Sequence, residues 1–253
     1  MDLTTFTESP LQAHGLLDNA SWLDANWMFL SLGFGIALAL WLIFSPRWPG
    51  TLRQRLYDPR WWAFMATPVY AVQQFEEHGF DIFGRRFMFA PVYNAGTGET
   101  MGIAMQAPAA TLINIAIVWC AFPLWAYLSN ARNGYYPATF AWGFSIMNGI
   151  VGHLVPLFVA SGELRYVPGL AQVVVMLPLG FWVLLVVFRR YGVFMGVILP
   201  LILGVLFHLV GMIGPELYFR WIPELIRIPL FVGLMAVLPL LAMPLFRTGL
   251  HRS

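Results

Sequence analysis

The chain carries the stretch WMFLSLGFGIALALWLIFS at residues 27–45, nineteen residues without a charged side chain. A helix needs roughly 20 apolar residues to cross the hydrocarbon core of a bilayer, so this stretch predicts a membrane-spanning helix. Six further apolar stretches follow it. Together the predicted spans cover residues 27–45, 61–80, 108–128, 137–160, 168–188, 191–214 and 228–246.

The composition of the whole chain also indicates a membrane protein. It is 59% hydrophobic and 10% charged, with a mean hydropathy of +0.71, whereas soluble domains carry about 25% charged residues. The apolar runs do not alternate as barrel strands would, and a helix satisfies every backbone polar group within lipid. We therefore expect an all-α polytopic transmembrane helix bundle of about seven spans. Its predicted parts are an extramembrane segment at 1–26, a single transmembrane domain at 27–246 and a cytoplasmic tail at 247–253.

The distribution of basic residues predicts the topology. All fourteen basic residues are Arg, and Lys is absent. Cytoplasmic loops carry an excess of basic residues, and nine of the arginines fall on the side that holds residues 47–60 and the tail, against five on the other side. The sequence therefore predicts a multi-pass protein of the cell membrane, with its N-terminus outside, its C-terminus in the cytoplasm and membrane lipids around it.

The same composition argues against several classes of function. Without Lys there is no amine for a retinal Schiff base and no Lys-containing phosphate loop for ATP-driven work. A net charge of +2 predicts no nucleic-acid partner. The single cysteine, Cys120, permits no disulfide framework and argues against a Cys-based metal site.

The ionisable groups at membrane depth are concentrated in one layer. Glu76, His153 and His208 each lie about 15 residues into their predicted spans, roughly 23 Å from the inner boundary at 1.5 Å per residue. Glu77 and His78 directly follow Glu76. Ionisable side chains inside a membrane are costly and usually face the bundle interior, where they serve function. We therefore expect a shared site near the outer leaflet.

Carboxylates and imidazoles together are typical ligands of zinc, iron and manganese. The expected metal ligands are Glu76, Glu77, His78, His153 and His208, and the expected catalytic residues are Glu76, Glu77 and His153. The polar residues expected to bind substrate are Gln73, Asn114, Asn148 and Arg165. In an ideal helix Gln73, Glu76 and Glu77 share one face, whereas Asn148 and His153 do not. The alternatives are a wet helix end without a ligand at Glu76–His78 and ordinary core histidines elsewhere.

The segment around the carboxylate pair resembles the HXXEE family of membrane proteins. That family has a His three residues before a Glu-Glu pair, then Gly-Phe, and later an Asn, a His and an Arg-Tyr-x-Pro-Gly turn. The corresponding residues here are Gln73, Glu76-Glu77, Gly79-Phe80, Asn148, His153 and Arg165-Tyr166-Val167-Pro168-Gly169. The resemblance covers roughly residues 65–180. It implies a polar site in a membrane protein without naming a reaction. Because Gln73 replaces the leading His, His78 is the candidate to take over that role.

Three functions remain open. The first is a metal-dependent membrane enzyme, a hydrolase or oxidoreductase that acts on a lipid-like or apolar molecule. The second is a metal-independent isomerase or cyclase of an isoprenoid, in which Glu76 or Glu77 is the general acid. The third is a non-catalytic subunit of a larger membrane complex, with His153 or His208 as a haem or chlorophyll ligand, or a small proton-coupled transporter. The sequence favours the first.

Overall fold

The computed structural model describes residues 20–86, 107–133, 135–154, 168–209, 219 and 221–241. The predicted tail, most of the predicted N-terminal segment and Arg165 lie outside these ranges. The described residues form helices and no named strand, which confirms the all-α class. In chain order the helices are α1 (Trp22–Phe44), α2 (Leu52–Arg55), α3 (Pro59–Gln74 and the π-helical Phe75–Gly79), α4 (Ala107–Ile115, the π-helical Ala116–Ala121 and Phe122–Leu128), α5 (Tyr136–Met147 and the π-helical Asn148–Leu154), α6 (the π-helical Gln172–Met176 and Leu177–Val193), α7 (the π-helical Phe194–Ile198 and Leu199–Leu206) and α8 (Glu224–Leu241).

Three helical segments of the described chain are long and apolar enough to cross a membrane. They are Trp22–Phe44, Ala110–Leu128 and Gln172–Leu209. Each of the seven predicted stretches overlaps a helix, and these three segments alone meet the length and hydropathy expected of a span among the described residues. The structure therefore agrees with a helical membrane protein.

The segment Gln172–Leu209 is bent rather than straight. Its 38 residues would extend about 57 Å as one helix, nearly twice the thickness of the hydrocarbon core. Gly192 interrupts it with φ +83° and ψ 172°. Beyond this bend Gly196 lies against the backbone of Phe188, so closely that a Cβ on Gly196 would be 2.4 Å from the Phe188 nitrogen. The chain thus folds back, and α6 and α7 pack side by side.

The first helix is held at both ends by polar contacts. At its start Ser21 and Asp24 form a capping box, in which the Asp24 amide donates to Ser21 Oγ over 3.1 Å and the Ser21 amide donates to Asp24 Oδ2 over 2.9 Å. At its end the buried Arg55 guanidinium donates to the carbonyls of Leu42 and Ile43 over 3.0 and 2.9 Å. These contacts satisfy backbone groups that a helix leaves unpaired at its termini.

Aromatic rings fill the interior of the bundle. Tyr70 of α3 meets Phe122 of α4 at 5.1 Å between ring centroids, and Phe144 of α5 meets Phe207, directly after α7, at 4.7 Å. Such edge-to-face pairs add stabilisation beyond their buried area. The polar residues of the candidate site lie mainly on α3 and α5, the two helices that contribute Tyr70 and Phe144 to this core.

Glycines bring α5 and α7 into close contact. A Cβ on Gly143 would lie 2.5 Å from the carbonyl oxygen of Pro200, and one on Gly204 would lie 2.8 Å from the carbonyl oxygen of Gly143. Small residues at helix contacts allow the backbones to approach closely in membrane proteins. Side chains on the outside of α1 are instead large and apolar, for example Phe34 and Leu40, which are 53% and 52% exposed. A bundle with apolar side chains outside and polar ones inside suits lipid surroundings.

Candidate functional site

The carboxylate pair lies on a π-helical turn at the end of α3. The turn spans Phe75–Gly79, with the sequence FEEHG, and Glu76, Glu77 and His78 are all buried. Phe80 follows in an extended conformation, and its amide donates to the Phe75 carbonyl over 3.0 Å. The helix thus ends at Gly79. Single π-helical turns within α-helices occur frequently at functional sites.

Glu77 is at the centre of the polar cluster, and its two oxygens have different surroundings. Gln73 Nε2 donates to Glu77 Oε2, and Gln74 Nε2 donates to the same oxygen over 3.2 Å. The other oxygen, Glu77 Oε1, faces His153 Nε2 at 3.8 Å, while His78 Nε2 lies 3.7 Å from Oε2. One oxygen is therefore held by two amides and the other is directed at an imidazole.

His153 is supplied by the second π-helical turn of interest, Asn148–Leu154, and is 2% exposed. Its Nδ1 lies 3.0 Å from the carbonyl oxygen of Pro168. Because a carbonyl oxygen only accepts hydrogen bonds, the network assigns a proton to Nδ1. In the neutral ring Nε2 then carries the lone pair, and this nitrogen faces Glu77.

His78 is directed towards α4, where it meets Asn114. The amide nitrogen of Asn114 donates to the carbonyl of Ala110 over 2.8 Å, which fixes the orientation of that amide. Its second hydrogen is directed at His78 Nε2, 3.2 Å away. The indole of Trp27 covers the imidazole, with ring centroids 5.4 Å apart. The lone pair of His78 Nε2 is therefore engaged by Asn114.

Glu76 has a different environment from its neighbour Glu77. Its Oε2 accepts hydrogen bonds from the backbone amides of Gly169 over 2.7 Å and Ala171 over 3.3 Å. These amides belong to the turn that leads into α6. The expectation that Gln73, Glu76 and Glu77 act from one face holds for the bonded pair Gln73 and Glu77, whereas Glu76 points to α6. Consecutive side chains on a helix diverge by about 100°, so the adjacent residues Glu76 and Glu77 reach different neighbours.

His208 belongs to a second, smaller polar group. Its Nδ1 lies 2.7 Å from the carbonyl oxygen of Gly204, and its Nε2 lies 3.3 Å from Asn148 Oδ1. A neutral ring donates a hydrogen bond to one of these two oxygens. The ring stacks on Phe144, with centroids 4.8 Å apart and planes at 15°. The hydrogen bonds of His208 thus lead to Gly204 and Asn148 and not to the carboxylate pair.

The structure brings together most of the residues expected from the sequence. The cluster around Glu77 contains Gln73, Glu76, His78, His153 and Asn114, whereas Asn148 and His208 pair with each other nearby. Arg165 lies outside the described residues. Across the part of the chain that the structure describes, no group of three or more His, Cys, Asp and Glu side chains is arranged to hold a metal ion.

Two contributors to the cluster were not expected from the sequence. Gln74 donates to Gln73 Oε1 over 2.6 Å as well as to Glu77. The Pro168–Gly169 turn contributes the carbonyl of Pro168 and the amide of Gly169. Backbone groups leave no residue-type signal, although the Pro-Gly dipeptide does indicate a turn. For Gln74 the signal in the sequence is its position three residues before Glu77, which places the two side chains next to each other on a helix.

Comparisons with protein-family models, with curated proteins and with solved structures find no match for this chain. The resemblance to the HXXEE family therefore stays a hypothesis, carried by the residues quoted above. The arrangement of the side chains is thus the basis for assigning a function.

Proposed function

We propose that the chain is an integral membrane enzyme that isomerises an apolar, lipid-like substrate of the isoprenoid type by acid–base catalysis. Glu77 and His153 are its reactive pair. The observation that carries this proposal is the approach of Glu77 Oε1 to His153 Nε2 at 3.8 Å, while Oε2 is held by two glutamine amides. One carboxyl oxygen and one imidazole nitrogen thus face each other.

We propose that the chain crosses the membrane seven times. The crossings are made by α1, α3, α4, α5, α6, α7 and α8. Two contacts indicate that the connection between α1 and α3 lies at the same end of the bundle as the part of α6 near Trp182. Trp182 Nε1 donates to the Leu56 carbonyl over 2.8 Å, and Tyr57 packs on Trp182 with centroids 5.1 Å apart. The exposed arginines Arg53 and Arg190 belong to this end, so it is proposed to be cytoplasmic.

The chemistry requires one group to give a proton and the other to take one. Glu77 is buried, and a buried carboxylic acid that remains protonated serves as a general acid. Glu77 Oε1 gives its proton to one carbon of a double bond, and His153 Nε2 removes a proton from the carbon next to the resulting cation. The double bond shifts by one position without change in composition. A proton then returns from His153 to Glu77, which restores both groups.

The distance between the two groups suits this exchange. At 3.8 Å the Glu77 and His153 atoms are farther apart than the 2.7–3.2 Å of an ordinary hydrogen bond, so they are not locked to each other. The aromatic rings around the cluster, such as Trp27 beside His78, present faces that stabilise a developing carbocation. Entry of the substrate from the lipid phase follows from the position of the cluster inside the bundle.

Deuterium incorporation tests this function across a range of candidate substrates in one assay. The purified protein, in nanodiscs, is incubated in D₂O with a panel of prenyl alcohols and prenyl lipids, and mass spectrometry detects deuterium in the recovered lipids. General acid–base groups contribute about 10²–10⁴-fold to rate, so Glu77→Gln and His153→Gln are expected to lower incorporation by that factor. His208→Gln is the matched control, because the hydrogen bonds of His208 lead to Gly204 and Asn148. Undiminished incorporation in Glu77→Gln would refute the proposal.

A metal-dependent hydrolase or oxidoreductase is the second candidate, and one contact favours it. Metal-binding histidines commonly donate their other ring N–H to a backbone carbonyl, as His153 Nδ1 does to Pro168. Glu77 and His153 would hold zinc, iron or manganese, and His78 would join them once Asn114 rotates away. Stoichiometric metal that is lost in His153→Ala, together with turnover abolished by a chelator, would favour this candidate. Chelator-resistant turnover would favour the acid–base enzyme.

A further inference from the structure

We infer that Glu76 is a positioning residue, which acts through the Pro168–Gly169 turn to hold the His153 imidazole with its Nε2 towards Glu77. The two adjacent carboxylates therefore have different tasks, since Glu77 reacts and Glu76 orients the partner of Glu77. This inference rests on the proposed function only in that the function makes the orientation of the His153 imidazole important. The orientation itself is a property of the structure.

The first contact ties the turn to α3. Glu76 Oε2 accepts from the amides of Gly169 and Ala171, which are 93 and 95 residues further along the chain. Both amides converge on the same carboxylate oxygen, and such charge-assisted bonds are the stronger kind of protein hydrogen bond. The position of the turn relative to the π-helical end of α3 is thus set by Glu76.

The second contact ties the imidazole to the same turn. His153 Nδ1 donates to the carbonyl of Pro168 over 3.0 Å. This bond selects the tautomer in which Nε2 carries the lone pair, as required of a proton acceptor. If the turn moved away, the ring would lose the partner that distinguishes its two nitrogens.

The third contact is steric and makes Gly169 necessary. Gly169 has φ +102°, and a Cβ built on it would lie 2.1 Å from His153 Cε1 and 2.4 Å from His153 Nδ1. Carbon atoms in contact are normally about 3.5–4.0 Å apart. Any side chain at this position therefore displaces the imidazole, and the ring lies directly against the glycine.

These contacts form a closed loop of neighbouring residues. The loop runs from Glu77 to the adjacent Glu76, across to Gly169, back one residue to Pro168, and through His153 to Glu77 again. Each link is a covalent connection or a direct contact. A change at Glu76 therefore reaches His153 through the turn, although Glu76 itself faces the amides of the turn.

The tautomer of His153 is the measurement that separates this role from a merely structural one. The protein is labelled with ¹⁵N-histidine, and two-bond nitrogen–proton correlation spectra at neutral pH identify which ring nitrogen carries the proton. The His153 signals are assigned by their loss in His153→Gln. We expect the wild type to show a single neutral tautomer, protonated at Nδ1. Glu76→Ala and Gly169→Ala are expected to show a mixture of both tautomers, whereas Glu76→Gln, which keeps an acceptor oxygen, retains mostly the wild-type form.

Gly192→Ala is the matched control for backbone strain. Gly192 also has a positive φ, +83°, but nothing lies within 4 Å of the Cβ that it would carry. It should keep the wild-type tautomer. An unchanged tautomer in Glu76→Ala, or a wild-type His153 protonated at Nε2, would overturn the inference. If Gly169→Ala does not fold, the comparison of Glu76→Ala with Glu76→Gln still tests the inference.

The outcome is independent of the proposed reaction. Full deuterium incorporation in Glu77→Gln would refute the acid–base function, but it would not change the measured tautomer of His153 or the positioning role inferred from it. Conversely, an unchanged tautomer in Glu76→Ala would remove the positioning role, while the loss of activity in Glu77→Gln would still support the enzyme.

Discussion

Replacement of Arg55 by Met should destabilise the protein strongly, because this side chain closes the end of α1. Its guanidinium donates to five backbone carbonyls, at 2.7 Å to Trp48, 2.9 Å to Ile43, 3.0 Å to Leu42, 3.2 Å to Gly50 and 3.4 Å to Ser45. Two of these carbonyls, Leu42 and Ile43, belong to the last turn of α1, where no intrahelical partner exists.

The magnitude follows from the contacts that would be lost. Leu42 keeps a second donor, Trp61 Nε1 at 3.1 Å, and the bonds to Gly50 and Ser45 are long. The carbonyls of Ile43 and Trp48 are thus the main losses, and hydrogen bonds to charged groups contribute about 1.5–3 kcal/mol each. Arg55→Met should therefore lower the free energy of unfolding by about 3–6 kcal/mol.

Equilibrium unfolding in mixed detergent micelles, followed by tryptophan fluorescence, measures this difference. Arg53→Met is the matched control, since Arg53 is exposed on the same short helix α2, and it should change the free energy by less than about 0.5 kcal/mol. A loss below about 1 kcal/mol for Arg55→Met would refute the assignment of Arg55 as the anchor of α1.

Two further predictions concern helix contacts. Gly143→Ala should lower the free energy of unfolding by about 1–3 kcal/mol, because its Cβ would lie 2.5 Å from the Pro200 carbonyl oxygen. Gly33→Ala, with nothing within 4 Å of the new Cβ, is the control, and equal thermal stability of the two variants would count against the close α5–α7 contact. Asn114→Leu should destabilise by about 1–3 kcal/mol through the lost donor to His78, without changing the His153 tautomer. A changed tautomer would show that His78 and His153 are coupled.

The positions of the helices could be predicted from the sequence because length and hydropathy decide them. Each apolar stretch overlaps a helix of the described residues, and the predicted start at residue 61 is two residues from the start of α3 at Pro59. The π-helical turns could not be predicted in this way. A change from i→i+4 to i→i+5 hydrogen bonding leaves composition and hydropathy unaltered, and it depends on how neighbouring helices pack.

The candidate site was predictable in depth but not in its pairings. Counting residues along the spans places Glu77 and His153 in one layer, and the structure has them 3.8 Å apart. The same count places His208 in that layer, yet its hydrogen bonds are made to Gly204 and Asn148. Depth along a helix follows from the sequence, whereas rotation about the helix axis follows from tertiary packing. For the same reason the sequence does not distinguish the task of Glu76 from that of Glu77.

Three consecutive residues at the end of α3 contact three different helices. Glu76 bonds to the start of α6, Glu77 faces His153 of α5, and His78 meets Asn114 of α4. Consecutive side chains on an α-helix diverge by about 100°, which spreads three of them over more than half a circle. Only a turn near the centre of the bundle, with helices on several sides, can satisfy all three in this way. The partner His153 is also carried by a π-helical turn, Asn148–Leu154. π-helical segments also occur at Ala116–Ala121, Gln172–Met176 and Phe194–Ile198, so the winding by itself does not single out this pair. The case for chemistry at the pair rests on the approach of Glu77 Oε1 to His153 Nε2 at 3.8 Å.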